Sequence, residues 1–220
     1  MHGLYAITPE THDSARLVEQ VGQAIAGGAS VVQYRSKRLG HDVARKQAEE
    51  LRAITRATGT LFIVNDDSEL AFAVGADGVH IGRDDGDSYA ISRIRNRRAM
   101  CFAGIEAAPF VIGVSCYNEL ERAATAVAAG ADYIAFGSFF PSSTKPDAAK
   151  ADLALIPAAK ARFDVPIVAI GGITVYNARQ LIEAKADAVA VITALFEADD
   201  IELRAREFTD LFKSGKHVCK

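Results

Sequence analysis

Two acidic groups separated by one helix-sized gap carry the most chemistry in this chain: Val64-Asn65-Asp66-Asp67, then His80-Ile81-Gly82-Arg83-Asp84-Asp85. Each directly follows a short apolar run of β type, Leu61–Val64 and Gly78–Ile81. Asp66 and Asp85 are therefore expected at the carboxyl ends of neighbouring strands, opening into one mouth. Paired carboxylates open to water suit Mg²⁺, which takes oxygen ligands and shares its shell with substrate phosphates. Helix N-caps and turns are the competing account, since Asp is preferred there too. What else arrives at the same mouth decides between them.

Cations and hydroxyls do arrive. The second β-type run ends Gln33-Tyr34-Arg35-Ser36-Lys37, and period-two alternation puts Gln33, Arg35 and Lys37 on one side. Arg with its forked donors and Lys as a point charge suit a diphosphate; a solvated turn is the plainer alternative, and Arg38 fits that better. Ser115 either donates to a phosphate or caps the next helix. Pro141-Ser142-Ser143-Thr144-Lys145-Pro146 sets hydroxyls at three successive positions before a Lys, a phosphate cradle or a Ser-rich loop closed by Pro. Gly171-Gly172 and Ile192-Thr193 end two later runs, where backbone N–H groups approach a phosphate closely. Cys116 has no neighbour that would lower its pKa, so a buried inert thiol is expected. The residues alone thus describe two anion sites in one mouth, one cationic and metal-bearing, the other built of hydroxyls and N–H groups. They suit a Mg²⁺-assisted enzyme acting on two phosphorylated small molecules.

The elements that must position these groups follow from periodicity. Gly75-Ala76-Asp77, Gly130-Ala131-Asp132 and Lys185-Ala186-Asp187, spaced 55 residues apart, each close a helical stretch and open an apolar run, and Gly27-Gly28-Ala29-Ser30 echoes them. Gly is the residue of choice where a helix ends left-handed; Lys185 in that conformation should cost about 1 kcal/mol. Strands are expected at Gly3–Thr8, Ser30–Arg35, Leu61–Asn65, Gly78–Ile81, Phe110–Ser115, Tyr133–Gly137, Pro166–Ile170 and Ala188–Thr193. Amphipathic helices such as Val43–Thr58 and Glu119–Ala129 separate them. Short continuous Val/Ile/Ala strands are buried on both faces and hence parallel. The fold class expected is α/β, a single (β/α)₈ TIM barrel over residues 1–220, with active-site groups at the strand carboxyl ends. An open doubly wound sheet is disfavoured, because no Gly-x-Gly-x-x-Gly follows the first strand.

Composition bounds the partners. The net charge of −3, with 24% charged residues, gives no reason to expect nucleic acid or an anionic membrane. Three cysteines without metal-ligand spacing argue against a disulfide framework and for a reducing, cytoplasmic setting. No apolar run reaches the length of a membrane span, and the first strand begins too early to leave room for a signal peptide. Small-molecule substrates are expected, and a homo-oligomer is left open.

Taken together, Gln-Tyr-Arg-Ser-Lys at 33–37, Val-Asn-Asp-Asp at 64–67, Gly-Val-His-Ile-Gly with Asp85, Gly-Val-Ser at 113–115, Pro-Ser-Ser-Thr-Lys at 141–145 and Ile-Gly-Gly-Ile at 170–173 resemble the thiamine-phosphate synthase family along nearly the whole chain. The resemblance implies that Asp66 and Asp85 hold Mg²⁺ on 4-amino-2-methyl-5-hydroxymethylpyrimidine diphosphate. It implies that Gln33, Tyr34, Arg35, Ser36, Lys37, Asn65, Ser115 and Lys145 surround that substrate, with Arg35, Lys37, Ser115 and Lys145 acting in catalysis. Ser142, Ser143, Thr144, Gly172, Ile192 and Thr193 would take the phosphorylated hydroxyethyl-thiazole. The implied reaction is dissociative, with diphosphate leaving before the thiazole nitrogen attacks. Arg83 stands where the family usually has Gln, Tyr117 where it often has His, and Ser142 and Thr193 exchange Thr and Ser. The segment 86–109 is longer than the family pattern by about ten residues, growth that loops tolerate; its Arg93, Arg95, Arg97 and Arg98 are expected on a solvated helix face. A related thiazole tautomerase would lack the Asp pair. A sugar-phosphate isomerase would need an acid/base pair, for which only His80 offers itself, and His80 is more readily a hydrogen-bonded core residue. A non-catalytic phosphate-binding protein would have lost Asp66, Asp85, Arg35 or Lys145.

Overall fold

The computed structural model describes residues 1–82, 88–101, 109–141 and 150–214. Among them strand and helix alternate: β1 (Gly3–Ile7), α1 (Ser14–Ala26), β2 (Val31–Tyr34), α2 (His41–Thr58), β3 (Leu61–Asn65), α3 (Ser68–Ala73), β4 (Gly78–Ile81) and α4 (Ser88–Cys101). The second half continues with β5 (Val111–Tyr117), α5 (Leu120–Ala128), β6 (Tyr133–Phe136), α6 (Leu155–Lys160), β7 (Ile167–Ile170), α7 (Ala178–Glu183), β8 (Ala188–Val191), α8 (Thr193–Phe196) and α9 (Ile201–Ser214). Each strand pairs in parallel with the next, and β8 returns to β1 with Val189 opposite Leu4, closing the barrel. The expected (β/α)₈ architecture is the one observed. No helix among the described residues is long and apolar enough to cross a membrane.

Alternation along each strand divides the core in two. Tyr5, Ile7, Val31, Ile63, Tyr133, Ala135, Val168, Ala188 and Ala190 point into the barrel. Leu4, Ala6, Val32, Val64, Ile134, Ala169 and Val189 point out, against α1, α2 and α9 residues such as Leu17, Leu51 and Phe208. Gly113 makes room for the inner layer: a Cβ there would lie 1.9 Å from the Tyr133 ring. Removing one methyl group from β5 thus lets an aromatic ring from β6 cross the barrel interior.

The 55-residue echo has a structural cause. Asp77 donates its N–H to Phe62 O at 2.9 Å, while its Oδ2 accepts the Phe62 N–H at 2.8 Å. Asp132 does the same with Ile112 and Asp187 with Ile167. Each carboxylate sits where an odd-numbered strand begins and an N–H has no ladder partner. Each also draws a cation from the preceding even-numbered helix: Arg52 forks onto Asp77 at 2.8 Å twice, Arg95 reaches Asp132 at 2.6 Å, and Lys160 reaches Asp187 at 2.5 Å. Gly75 and Gly130 are left-handed, and Lys185 adopts φ 77° in the same place.

Arg95 also donates to Phe110 O and Gly130 O, Arg97 pairs with Glu69, and the Arg98 guanidinium lies 4.8 Å from the Phe110 ring centroid. Of the arginines expected on a solvated face, Arg93 and Arg97 are exposed, whereas Arg95 and Arg98 are half-buried and fix α4 to its neighbours. Within the 86–109 segment, α4 and the approach to β5 are described; residues 83–87 and 102–108 lie outside.

Two outcomes follow for stability. Asp77→Ala, which orphans the Phe62 N–H and half of Arg52, is expected to lower the unfolding free energy by about 2–3 kcal/mol, and an unchanged urea midpoint would refute the rim role. Lys185→Gly should relieve the left-handed strain, net of the greater freedom of unfolded Gly, and raise the thermal midpoint by about 2 °C.

Candidate active site

The carboxyl ends of the strands enclose a cavity of about 420 Å³. Gln33, Arg35 and Lys37 reach it from β2 and its tail, Asn65 and Asp66 from β3, and Gly82 from the end of β4. Ser115 and Tyr117 come from β5, Gly172 from the end of β7, and Ile192 and Thr193 from the end of β8. The alternation that brings Gln33 and Arg35 inward sends Tyr34 outward. Its ring is 2% exposed in the helix layer, where its hydroxyl donates to Gln47 Oε1 at 2.9 Å. Ser36 lines a separate, smaller cavity with Leu39, His41 and Asp67. The Tyr34 and Ser36 side chains thus turn away from this cavity, since strand geometry presents alternate residues to opposite faces. Asp85, Ser142, Ser143, Thr144 and Lys145, with Arg83, lie outside the described residues.

Asp66 and Asp67 divide the two roles that Asp can play. Asp67 caps α3, accepting the Leu70 N–H at 2.8 Å. Asp66 stands at φ 62°, a left-handed conformation that Asp tolerates better than most residues. Its Oδ1 accepts the Gly82 N–H at 3.1 Å, and its Oδ2 accepts Asn65 Nδ2 at 2.6 Å and lies 3.4 Å from Lys37 Nζ. The side chain is 26% exposed at the cavity wall. Among the described residues no group of three or more His, Cys, Asp or Glu is placed to hold a metal. Mg²⁺ asks for less: one or two carboxylates, with water and phosphate oxygens completing its shell. Asp66 fits as one such ligand, and Asp85 follows three residues after Gly82, the residue that Asp66 grips.

The cavity floor carries a hydrogen-bonded chain that was only partly legible beforehand. Gln33 Nε2 donates to Tyr5 Oη at 2.8 Å, Tyr5 Oη meets Tyr133 Oη at 2.8 Å, Tyr133 Oη meets His80 Nδ1 at 2.9 Å, and His80 Nε2 meets Ser115 Oγ at 2.9 Å. Burial pushes both phenol pKa values well up, so each ring keeps one hydrogen to give. With Gln33 as donor and each buried hydroxyl hydrogen required to find a partner, one sense satisfies the chain: Tyr5 donates to Tyr133, Tyr133 to His80 Nδ1, and His80 Nε2–H to Ser115, whose own hydrogen is left for the cavity. His80 is thus the hydrogen-bonded core residue expected. Tyr5 and Tyr133 were missed because an apolar strand containing Tyr reads simply as core. Their signal is a hydroxyl at an inward-facing position, which must find a partner.

Other groups hold the rim. Arg122 reaches back from α5, its Nε donating to Ser115 O at 2.9 Å and its Nη2 to Gly82 O at 3.4 Å. Tyr117 completes a bulge against β6 at φ 55°. A Cβ on Gly171 would lie 2.0 Å from Ser138 Oγ, and one on Gly172 would lie 2.1 Å from Pro141 O. These glycines admit the chain leaving β6, and so bring the β6 and β7 rims together. Cys116 is buried, its Sγ donating to Val114 O at 3.6 Å, and burial raises its thiol, pushed up to about 12. It is inert, as expected.

Comparison with known proteins agrees with this geometry. A family model described as thiamine monophosphate synthase matches residues 4–195. Thiamine-phosphate synthase of Methylobacillus flagellatus is 52% identical over 213 residues, covering 96% of each chain. That of Thiobacillus denitrificans is 50% identical over 212 residues, covering 96% of this chain and 94% of its own. The solved thiamine phosphate pyrophosphorylase from Pyrococcus furiosus superposes with a TM-score of 0.81 at 32% identity, covering 96% of both chains. Half identical to these synthases from end to end, and built on the same barrel, the chain belongs to the thiamine monophosphate synthase family, transferases of thiamine biosynthesis.

Proposed function

We propose that the cavity joins 4-amino-2-methyl-5-hydroxymethylpyrimidine diphosphate to 4-methyl-5-(2-phosphooxyethyl)thiazole, giving thiamine phosphate and diphosphate. The observation that carries this reading is the charge layout of the wall. Arg35 and Lys37 line the cavity with Asp66, which lies 3.4 Å from Lys37 Nζ, while among the described residues the opposite rim, at Gly172, Ile192 and Thr193, carries no charged side chain. One side suits a diphosphate that must leave with extra charge; the other suits a phosphate that only anchors.

In the proposed reaction the bond from the pyrimidine methylene carbon to the diphosphate oxygen breaks, and its electron pair leaves with the diphosphate. The thiazole nitrogen then supplies the pair for the new C–N bond. Arg35 would offer forked hydrogen bonds and Lys37 a point charge to the departing group, with Lys145 joining them from the Ser-rich loop. Such stabilisation is strongest where charge develops in a water-poor site. The Ser115 hydrogen, left over by the chain from Gln33, would donate to a diphosphate oxygen. Mg²⁺ on Asp66 and Asp85 would add charge neutralisation on the same diphosphate. The apolar floor of Ala135, Val168 and Ala190 would keep water from the cationic methylene carbon before the thiazole reaches it. No side chain acts as nucleophile. An isomerase-type role for His80 is disfavoured, because both its ring nitrogens are engaged, by Tyr133 and Ser115.

Purified protein supplied with both substrates and Mg²⁺ should release thiamine phosphate and diphosphate in equal amounts; absence of product with both substrates bound would overturn the assignment. Asp66→Ala should abolish Mg²⁺-dependent turnover with the circular dichroism spectrum unchanged, and full activity would remove the metal role. Ser115→Ala should lower kcat by about a hundredfold, and a change confined to KM would show that Ser115 merely binds.

A further inference from the structure

The paired backbones of β1 and β2 end at Ile7 and Gln33, with one more bond from the Thr8 N–H to Gln33 O at 2.9 Å. Beyond that point side chains of the β1 tail take over the ladder. Thr8 Oγ1 accepts the Arg35 N–H at 3.0 Å. Glu10 Oε1 accepts the Lys37 N–H at 2.8 Å and the Arg38 N–H at 2.5 Å, and its Oε2 accepts Arg38 Nε at 3.2 Å. Thr8 is 1% exposed and the Glu10 side chain 12%, whereas the Arg38 side chain is 85% exposed.

Two consecutive amides turned onto one oxygen form a concavity that would itself bind an anion. Glu10 fills it permanently, so that the loop can offer a ligand its side chains and not those amides. Burial pushes the Glu10 carboxyl up, but the Arg38 and Lys37 N–H groups and the Arg38 guanidinium outweigh it and hold the carboxyl below its ordinary range; it is charged at neutral pH. A fixed negative charge in a loop meant for diphosphate is electrostatically adverse, and its Coulomb effect alone would weaken binding. What it supplies is geometry.

We propose that Glu10 is a positioning residue for the anion-binding loop, clamping the Lys37 and Arg38 backbone so that Arg35 and Lys37 meet the diphosphate already oriented. This rests on the reading of Arg35 and Lys37 as the diphosphate side of the cavity. Charge and geometry predict opposite signs, which makes the idea testable. Inorganic diphosphate with Mg²⁺ is titrated calorimetrically into the full chain, beside the phosphorylated thiazole, for wild type, Glu10→Ala, Glu10→Gln and Arg38→Ala.

Glu10→Ala is expected to weaken diphosphate binding roughly tenfold or more, since small misplacements of positioning groups are costly, with thiazole-phosphate binding unchanged. Glu10→Gln, which keeps an acceptor oxygen, should recover most of the loss, and Arg38→Ala should bind as wild type. In turnover the loss should appear in kcat/KM for the diphosphate substrate, with KM for the phosphorylated thiazole unchanged. Diphosphate binding by Glu10→Ala as tight as wild type, or tighter, overturns the clamp alone. Equal loss of both ligands overturns it too, as a sign of general unfolding. Wild type that binds no diphosphate overturns the underlying reading of the loop and the clamp with it. Should Glu10→Ala fail to fold, Thr8→Val, which removes the acceptor for Arg35 while keeping the side-chain shape, is expected to show the same selective loss, and unchanged binding there would overturn the proposal.

Discussion

A parallel ladder closed on itself has no edge, but it has two rims, and at each rim backbone groups run out of partners. Those groups must be satisfied, since an orphaned polar group near the core costs as much as a lost hydrogen bond. Much of this molecule's polar architecture is an answer to that requirement. At the amino-terminal rim the answer is repetitive: Asp77, Asp132 and Asp187 each take a strand-opening N–H and carry a cation from a helix. At the carboxyl-terminal rim it is individual: Thr8 and Glu10 hold the β2 tail, Asp66 holds Gly82, and Arg122 holds the carbonyls of Gly82 and Ser115. A uniform solution serves stability. A varied one can serve a site, because each clamp fixes a different loop at its own angle.

The interior shows the same economy of means. Gly113 and the small side chains Ala135, Ala188 and Ala190 leave the barrel under-filled, and Tyr133 crosses the space. Because its hydroxyl and that of Tyr5 are buried, they must pair, and pairing them links β2, β1, β6, β4 and β5 through side chains as well as through the ladder. The cavity is therefore floored by a rigid polar line within an apolar layer, a combination that lets an aromatic ring lie flat while its polar atoms find fixed partners.

The barrel was legible because its strands are short, apolar and regularly separated by amphipathic helices, and the observed boundaries depart from expectation mainly at strand ends. The largest departures are of two residues: β8 stops at Val191, where α8 begins almost at once, and β5 extends to Tyr117 through a bulge that leaves no periodic trace. The 55-residue echo was visible as spacing; that its Asp binds back to the previous strand was not, since the partner is a backbone amide. Gln33, Arg35, Lys37, Asn65, Asp66 and Ser115 were found because each is a polar residue at a strand end. Tyr34 and Ser36 belong to the same motif, and alternation turns their side chains to the other face. Glu10 escaped notice because a lone acidic residue after a Pro looks like any surface turn, and Arg95 and Arg98 because charge on a helix does not say which face is docked.

The chain from Gln33 to Ser115 also means that two distant walls of the cavity are not independent. Each hydroxyl along it both gives and receives, and the His80 ring receives at one nitrogen and gives at the other, so turning one member reverses all the others. A ligand that drew the Gln33 amide nitrogen away from Tyr5 would remove the donor that sets this sense, and in the reversed sense the Ser115 hydrogen is withdrawn from the cavity. The site therefore tests the polarity of what enters at both ends in a single step, and its answer is shared among five side chains from five strands.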